Sequence, residues 1–186
     1  MSTQPVVWET LGREFVQDFT IFSAWHVRRR HPGDGREGRF VVLETPTWVN
    51  IIPVTEQGEL VLIEQYRHGR DEVVLEIPGG MVATGEEPRQ AAERECREET
   101  GYAAAQPAQL LGACYPNPAF QSNVCYSYLW RGCRRVAAPQ WDRHEEIAVR
   151  LLPLEQLPEL LRAGQIRHAL VLVAFFWAVL SGELPL

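Results

Sequence analysis

Several broad classes of protein are excluded by what this chain lacks. It has only four cysteines, at 96, 114, 125 and 133, and no pair has the spacing of a metal site. The N-terminal residues show no secretory signal pattern, so reduced thiols in a cytoplasmic protein are expected. The apolar run Ala169–Leu180 is too short to span a bilayer and reads as a buried helix, and no membrane association is expected. There is no excess of positive charge: 18 basic residues face 24 acidic ones, for a formal net charge of −6. That balance excludes a nucleic-acid binder driven by phosphate contacts. It does not exclude a nucleotide substrate, because a bound cation reverses the local sign. No internal repeat or low-complexity tract is present. No nucleophile elbow and no glycine-rich lysine loop is found, which leaves covalent acyl chemistry and P-loop NTPase action unsupported.

With 186 residues, of which 46% are hydrophobic and 23% charged, the chain has ordinary globular composition and room for one sizeable core. Residues 1–15 read as an arm or first strand. Thr20–Arg29 and Arg39–Leu43 read as hairpin partners about the turn His31–Gly35. Trp48–Val54 and Leu60–Gln65 form a second hairpin around Glu56-Gln57-Gly58. Val73–Ile77 is a short strand that ends at Pro78-Gly79-Gly80. Pro88 suits the first turn of a helix and Gly101 its C-terminal end, with Ala91, Ala92 and Cys96 small enough for close packing. Strands are expected over Leu110–Tyr115, Asn123–Arg131 and Glu146–Leu152, and helices over Leu154–Ala163 and His168–Leu180. Strands and helices are mixed, with hairpins in place of repeated βαβ units.

The most informative segment is Gly80–Tyr102. Glu95, Glu98 and Glu99 stand at i, i+3 and i+4 and share one helix face. Like charges so close repel; a helix that keeps them is suited to holding a hard cation, and oxygen-only ligands fit Mg²⁺ or Mn²⁺. For a Glu-Glu pair alone, a solvated acidic face is the simpler account. The full spacing says more. A glycine, five residues, Glu86, seven residues, then Arg94-Glu95-Cys96-Arg97-Glu98-Glu99-Thr100-Gly101-Tyr102 resembles the signature of the Nudix hydrolases at every fixed position. The one departure is Cys96, where a branched aliphatic residue is usual, and a small buried-type side chain preserves the packing role. Outside the box, Trp48-Val-Asn-Ile-Ile-Pro-Val, Glu64-Gln65-Tyr66-Arg67, Leu75-Glu76-Ile77-Pro78-Gly79-Gly80 and Tyr115-Pro116-Asn117-Pro118 are similar to the ADP-ribose and nucleoside diphosphate sugar pyrophosphatase branch.

The resemblance implies an α/β (mixed α+β) Nudix fold: a mixed sheet sandwiched between helices, with an N-terminal antiparallel hairpin. It implies an N-terminal region, 1–40, in dimer contact, and a hydrolase domain, 41–186. Metal would be held by Glu95, Glu98, Glu99 and the carbonyl of Gly79. Arg94 would orient these glutamates, and Glu98 is either a further ligand or the support of a bound water. Glu86 would anchor the loop or contact metal through water, or else serve as a helix N-terminal acid. A glutamate on the loop His144–Glu146 would act as base toward the attacking water; Glu145 is assigned, with Glu146 the alternative. Arg67 suits bidentate phosphate recognition or an ordinary surface role. Glu76 would contact base or ribose, or else pair with Arg67. Trp48 would stack on a base or pack in the core, and Asn117 and Pro118 would wall the substrate pocket. The implied substrate is ADP-ribose or a related nucleoside diphosphate sugar, cleaved to a nucleoside monophosphate and a sugar phosphate. A pyrophosphatase for NTPs or dinucleoside polyphosphates is the enzymatic alternative, and a non-turnover nucleotide-sugar sensor the alternative of another class.

Overall fold

The computed structural model describes residues 4–184; the expected N-terminal region and catalytic domain also include residues 1–3 and 185–186, which lie outside the described residues. The chain divides into two compact units, Met1–Pro46 with Tyr115–Asn123, and Thr47–Cys114 with Val124–Leu186. The smaller unit is an antiparallel sheet of β1 (Glu9–Asp18), β2 (Ser23–Arg30) and β3 (Glu37–Glu44), with β2 central. The expected hairpin over 20–29 and 39–43 is its β2–β3 half, and β1 extends it to three strands.

In the larger unit β4 (Trp48–Thr55), β5 (Glu59–Arg67), β6 (Glu72–Glu76) and β7 (Gly79–Met81) precede α1 (Pro88–Thr100). After it come β8 (Tyr102–Ala103), β9 (Gln109–Cys114), β10 (Cys125–Arg135), β11 (Ile147–Pro153), α2 (Leu157–Arg162) and α3 (Ala169–Leu180). These eight strands form one sheet with central order β11-β5-β4-β10-β8. It is mixed because β4 and β10 run parallel while the remaining ladders are antiparallel.

Strand alternation explains the layering. Odd-numbered Val49 and Ile51 of β4 pack with Tyr128 and Trp130 of β10 against Ala91, Ala92 and Cys96 of α1. Even-numbered Ile52 and Val54 pack with Leu129 against Val171, Ala174, Phe175 and Ala178 of α3. A strand apolar on both faces must be covered on both, and the sheet lies between helices as expected. Phe175 is 1% exposed, and truncating a phenylalanine at such a site costs about 3–5 kcal/mol.

Some local expectations change. The helix expected over 154–163 is a 3₁₀ turn, Leu154–Gln156, followed by α2. Pro158 lacks an N–H and is tolerated only in a first turn, so the α-helix begins at Leu157. Gly79-Gly80, where the strand over 73–77 is expected to end, itself starts β7 and pairs with Asn50 and Val49 of β4. Two features then position the site. First, β4 and β5 share one ladder pair, Val54 with Leu60, next to their turn; beyond it β6 joins β5 and β7 joins β4. The sheet is thereby split, and the chain Glu76–Gly79 crosses the split. Second, Gly101 ends α1 at φ 77°. An ideal Cβ there would stand 2.2 Å from the carbonyl oxygen of Ala137, so only glycine fits both the left-handed turn and the close approach. The 136–141 segment caps the helix end: Val136 N–H donates to Gly101 O (2.8 Å), Gln140 N–H to Glu98 O (2.8 Å) and the Trp141 indole N–H to Glu99 O (2.9 Å).

Candidate active site

The three box glutamates of α1 occupy different environments. Glu98 is the most exposed and Glu99 is buried, 4% exposed. Arg94 gathers the acids. Its Nε and Nη2 donate to the two carboxylate oxygens of Glu86 (2.9 and 3.0 Å), and its Nη1 donates to both Glu95 Oε1 and Glu98 Oε2 (2.9 Å each). Nη2 also donates to Met81 O (3.2 Å), so one planar guanidinium ties the helix to β7 and to the loop before α1. Glu86 accepts in turn from Ala83 N–H (3.0 Å). Its carboxyl is held below the ordinary range, chiefly by the Arg94 hydrogen bonds. The Glu95 carboxylate lies directly over Gly80: an ideal Cβ on Gly80 would meet its Cδ and Oε1 at 2.5 Å. Any side chain at 80 would displace this glutamate.

Glu99 Oε2 accepts from Gly79 N–H at 3.0 Å, which ties the end of α1 to the start of β7. Burial pushes the Glu99 carboxyl up to about 8; the charges of Glu95 and Glu145 add to this, while the Gly79 hydrogen bond and the Arg67 charge oppose it. Burial likewise raises Glu95, against the pull of Arg94. Among the described residues no three His, Cys, Asp or Glu groups already converge as a ligating cluster; Glu95 and Glu98 turn to Arg94 instead. The donors nevertheless fit a hard divalent cation. They are carboxylate oxygens on adjoining turns beside the backbone of Gly79, and two of them carry the cost of a buried negative charge that such a cation would remove.

Across the split, a cavity of about 820 Å³ opens in the larger unit. Its lining includes Trp48, Asn50, Arg67, Glu76, Gly79 and Gly80. Glu76, 3% exposed, accepts from Arg67 Nε (3.2 Å) and Nη2 (2.6 Å), and its Oε2 lies 3.4 Å from His168 Nδ1. Burial alone would raise this carboxyl. The hydrogen bonds and charges of His168 and Arg67 override it and hold Glu76 down at about 2. A depressed carboxyl stabilises the fold above its unfolded range near 4.5, and that contribution, about 3 kcal/mol, disappears only as pH falls through 2. Of the two roles weighed for Glu76, pairing with Arg67 occupies both of its oxygens.

The structure thus brings Arg94, Glu86, Glu95 and Glu98 into one network, Glu99 to Gly79, and Arg67, Glu76 and Trp48 to one cavity. Glu145 is partly buried, and its charge acts on Glu95, Glu99 and Arg67, whereas Glu146 is exposed. The Glu145 carboxylate accepts from Asp142 N–H (2.9 Å), which ties down its own loop. Asn117 and Pro118 belong to the smaller unit, on a turn where Asn117 O accepts from Phe120 and Gln121 N–H (3.2 and 2.8 Å); the cavity is lined by the larger unit. Two residues without sequence warning join the site: His168, on Glu76, and Trp141, on the last turn of α1. Neither lies in a motif, and only the fold brings them there.

A NUDIX domain model matches residues 45–175. An ADP-ribose pyrophosphatase of Mycobacterium tuberculosis is 34% identical over 139 residues, 74% of this chain and 66% of that protein. An ADP-ribose pyrophosphatase of Bacillus subtilis is 31% identical over 96 residues, 52% of this chain, and the match spans about half (51%) of that relative's length. A crystal structure of an ADP compounds hydrolase superposes with a TM-score of 0.83 over 98% of this chain and 100% of that one, at 23% identity, a likeness of fold. Among the described residues no helix is long and apolar enough to cross a membrane.

The raised Glu99 carboxyl sets a pH dependence. A carboxyl whose folded pKa lies above its unfolded value supports the fold while protonated. Its contribution is therefore complete below about 4.5 and is lost as pH rises through 8. In excess chelator at pH 8.5, Glu99→Gln is expected to melt roughly 5 °C above the unsubstituted protein, and the two should converge at pH 4.5. Saturating Mg²⁺ should raise the melting temperature of the unsubstituted protein and not that of the variant. Equal melting of the two proteins in chelator at pH 8.5 would contradict this account of Glu99.

Proposed function

The chain belongs to the Nudix family, and on that premise we propose that it is a metal-dependent hydrolase of ADP-ribose or related nucleoside diphosphate sugars, releasing a nucleoside monophosphate and a sugar phosphate. The observation that carries this reading is the acid network of α1 set beside a cavity that holds Arg67 and Trp48. The named relatives support the choice of substrate. Bound Mg²⁺ or Mn²⁺, held by Glu95, Glu98, Glu99 and the carbonyl of Gly79, would supply charge neutralisation at the diphosphate oxygens.

The side chains do the rest. Arg94 keeps Glu95 and Glu98 in register. Arg67 spends Nε and Nη2 on Glu76, which leaves Nη1 for a phosphate oxygen. Trp48 offers a ring face to the base or ribose, and Glu76 acts on substrate through the Arg67 it orients. Asn117 and Pro118 are carried as further substrate contacts on the sequence pattern. Glu145 accepts a proton from the attacking water. The water oxygen bonds to one phosphorus as the bond from that phosphorus to the bridging oxygen breaks, and the bridging oxygen leaves on the other product. Residues 41–186 form the hydrolase domain and 1–40 make homodimer contacts, in a cytoplasmic enzyme. Phe15, Val16, Phe19 and Ile21 in that N-terminal region are about half exposed, which supports a partner there.

Competition among ADP-ribose, UDP- and GDP-linked sugars and dGTP in one reaction with Mg²⁺ should consume a nucleotide sugar first. Preferential loss of dGTP would reassign the substrate to NTPs, and binding without turnover of any of them would favour a sensor. Glu145→Gln is expected to lower kcat about a hundredfold with KM little changed, and Glu146→Gln to leave kcat within about twofold. The opposite pattern would move the base to Glu146. Light scattering at micromolar concentration should give the mass of two chains; a monomer with full activity would refute the dimer.

A further inference from the structure

Outside the acid network, the unusual chemical feature is a cysteine pair. Cys114, the last residue of β9, and Cys125, the first of β10, stand directly opposite each other in an antiparallel ladder. Residues so placed have Cα atoms about 4.5–5.5 Å apart and side chains on one face of the sheet. That separation falls within the roughly 4.4–6.8 Å that a disulfide spans. The same row continues to Trp48, which pairs with Cys125 across the parallel β4–β10 ladder, and both Trp48 and Cys125 line the cavity. Both cysteines are free thiols in this structure.

We infer that Cys114 and Cys125 form a reversible cross-strand disulfide in the wall of the cavity, a modification site through which thiol–disulfide oxidants change substrate binding. The effect on binding rests on reading this cavity as the substrate site; the pairing of the thiols does not. The oxidant is a small disulfide such as oxidised glutathione. Cys125 is 2% exposed and Cys114 partly exposed, so Cys114 meets it first. The Cys114 thiol loses its proton and its sulfur attacks one sulfur of the oxidant, whose S–S bond breaks and releases one thiol. Cys125 then loses its proton and attacks Cys114 Sγ, forming the protein disulfide and expelling the second thiol. Two cysteines are oxidised, and the small disulfide is reduced to two thiols. Burial raises both cysteine pKa values, that of Cys125 to about 12, so the exchange is slow and gated by access at Cys114. The other neighbouring cysteines, Cys96 and Cys133, are fully buried in the α1 core at 0% exposure and stay reduced. Drawing Cys125 toward Cys114 shifts the strand end beside Trp48 and leaves the acids of α1 untouched. The effect therefore falls on KM and not on kcat.

The test uses the full chain incubated with oxidised glutathione. Thiol titration after denaturation should fall from four to two, and peptide mapping should join the segments that carry Cys114 and Cys125. KM for ADP-ribose should rise roughly threefold with kcat unchanged and return on addition of dithiothreitol. Cys114→Ser should keep basal activity, lose no thiol pair and show no change in KM on oxidation. Retention of four thiols, a persistent glutathione adduct on Cys114, or a joined pair without any change in KM would each overturn the inference. If the untreated protein fails to hydrolyse ADP-ribose, the functional reading falls, and loss of the two mapped thiols still supports the pairing.

Discussion

The candidate site in the larger unit is arranged around one electrostatic constraint: three carboxylates within two turns of α1 must coexist, and two of them, Glu95 and Glu99, are largely cut off from water. Arg94 is the answer the fold supplies. Its fork reaches Glu86, Glu95 and Glu98 together, and its last donor reaches the backbone of β7. A lysine presents one point charge and cannot span the four acceptors in fixed geometry. The same constraint explains why residue 80 has no side chain, since Glu95 lies where a Cβ would stand. It also explains the tight stop at Gly101. The chain there must leave the helix sharply enough for 136–141 to cap the last carbonyls and for the following loop to bring Glu145 into electrostatic reach of Glu95 and Glu99.

Glu76 and Glu99 show how partners, and not burial, decide the fate of a carboxylate. Both are nearly fully buried, at 3% and 4% exposure. Glu76 has a two-pronged arginine and a histidine and is held at about 2; Glu99 has one backbone N–H and like-charged neighbours and is pushed to about 8. The first is a fixed anion whose work is to orient Arg67. The second is an unsettled charge, the kind of group that gains most from a bound cation. The two carboxyls are held at the two ends of the Glu76–Gly79 crossing, Glu76 by its own place in the chain and Glu99 through the Gly79 N–H.

Local patterns made much of this legible. The helix over 88–100, its proline start and glycine stop, and the hairpins around residues 31–35 and 56–58 follow from periodicity and turn chemistry, and the spacing of Arg94, Glu95, Glu98 and Glu99 places these residues on neighbouring turns. What escaped was either non-local or locally ambiguous. Nothing in the sequence near His168 announces that it lies against Glu76, and the Trp141 cap depends on how the chain returns after β10. Cys114 and Cys125 are unremarkable until the register of β9 and β10 sets them opposite. Gly79-Gly80 reads as the end of a strand and instead starts another because β4 offers a free edge for pairing. The helix expected over 154–163 is shortened because Pro158 tolerates only a first-turn position.

The charge distribution removes the apparent conflict between an acidic protein and a polyanionic substrate. The formal net charge is −6, yet the cavity is lined by Arg67, Arg70, Arg167, His68, His144 and His168. Arg70 and Arg167 converge on Glu72 at 3.4 and 3.8 Å, and Arg67 is spent in part on Glu76, so the wall keeps more cationic than anionic groups. The acid network of α1 lies next to it, with Glu95 against Gly80 and Glu99 on Gly79, two glycines of the lining. On the proposed reading, a diphosphate entering between them meets attraction from one side and repulsion from the other, and the repulsion is removed only when a divalent cation occupies the acidic side. Substrate and metal affinity are then coupled and, by linkage, each strengthens the other by the same factor. On that reading, acids that Arg94 only partly neutralises serve the coupling better than fully paired ones, because burial disfavours the charged form of Glu95 and Glu99 until a cation offsets it.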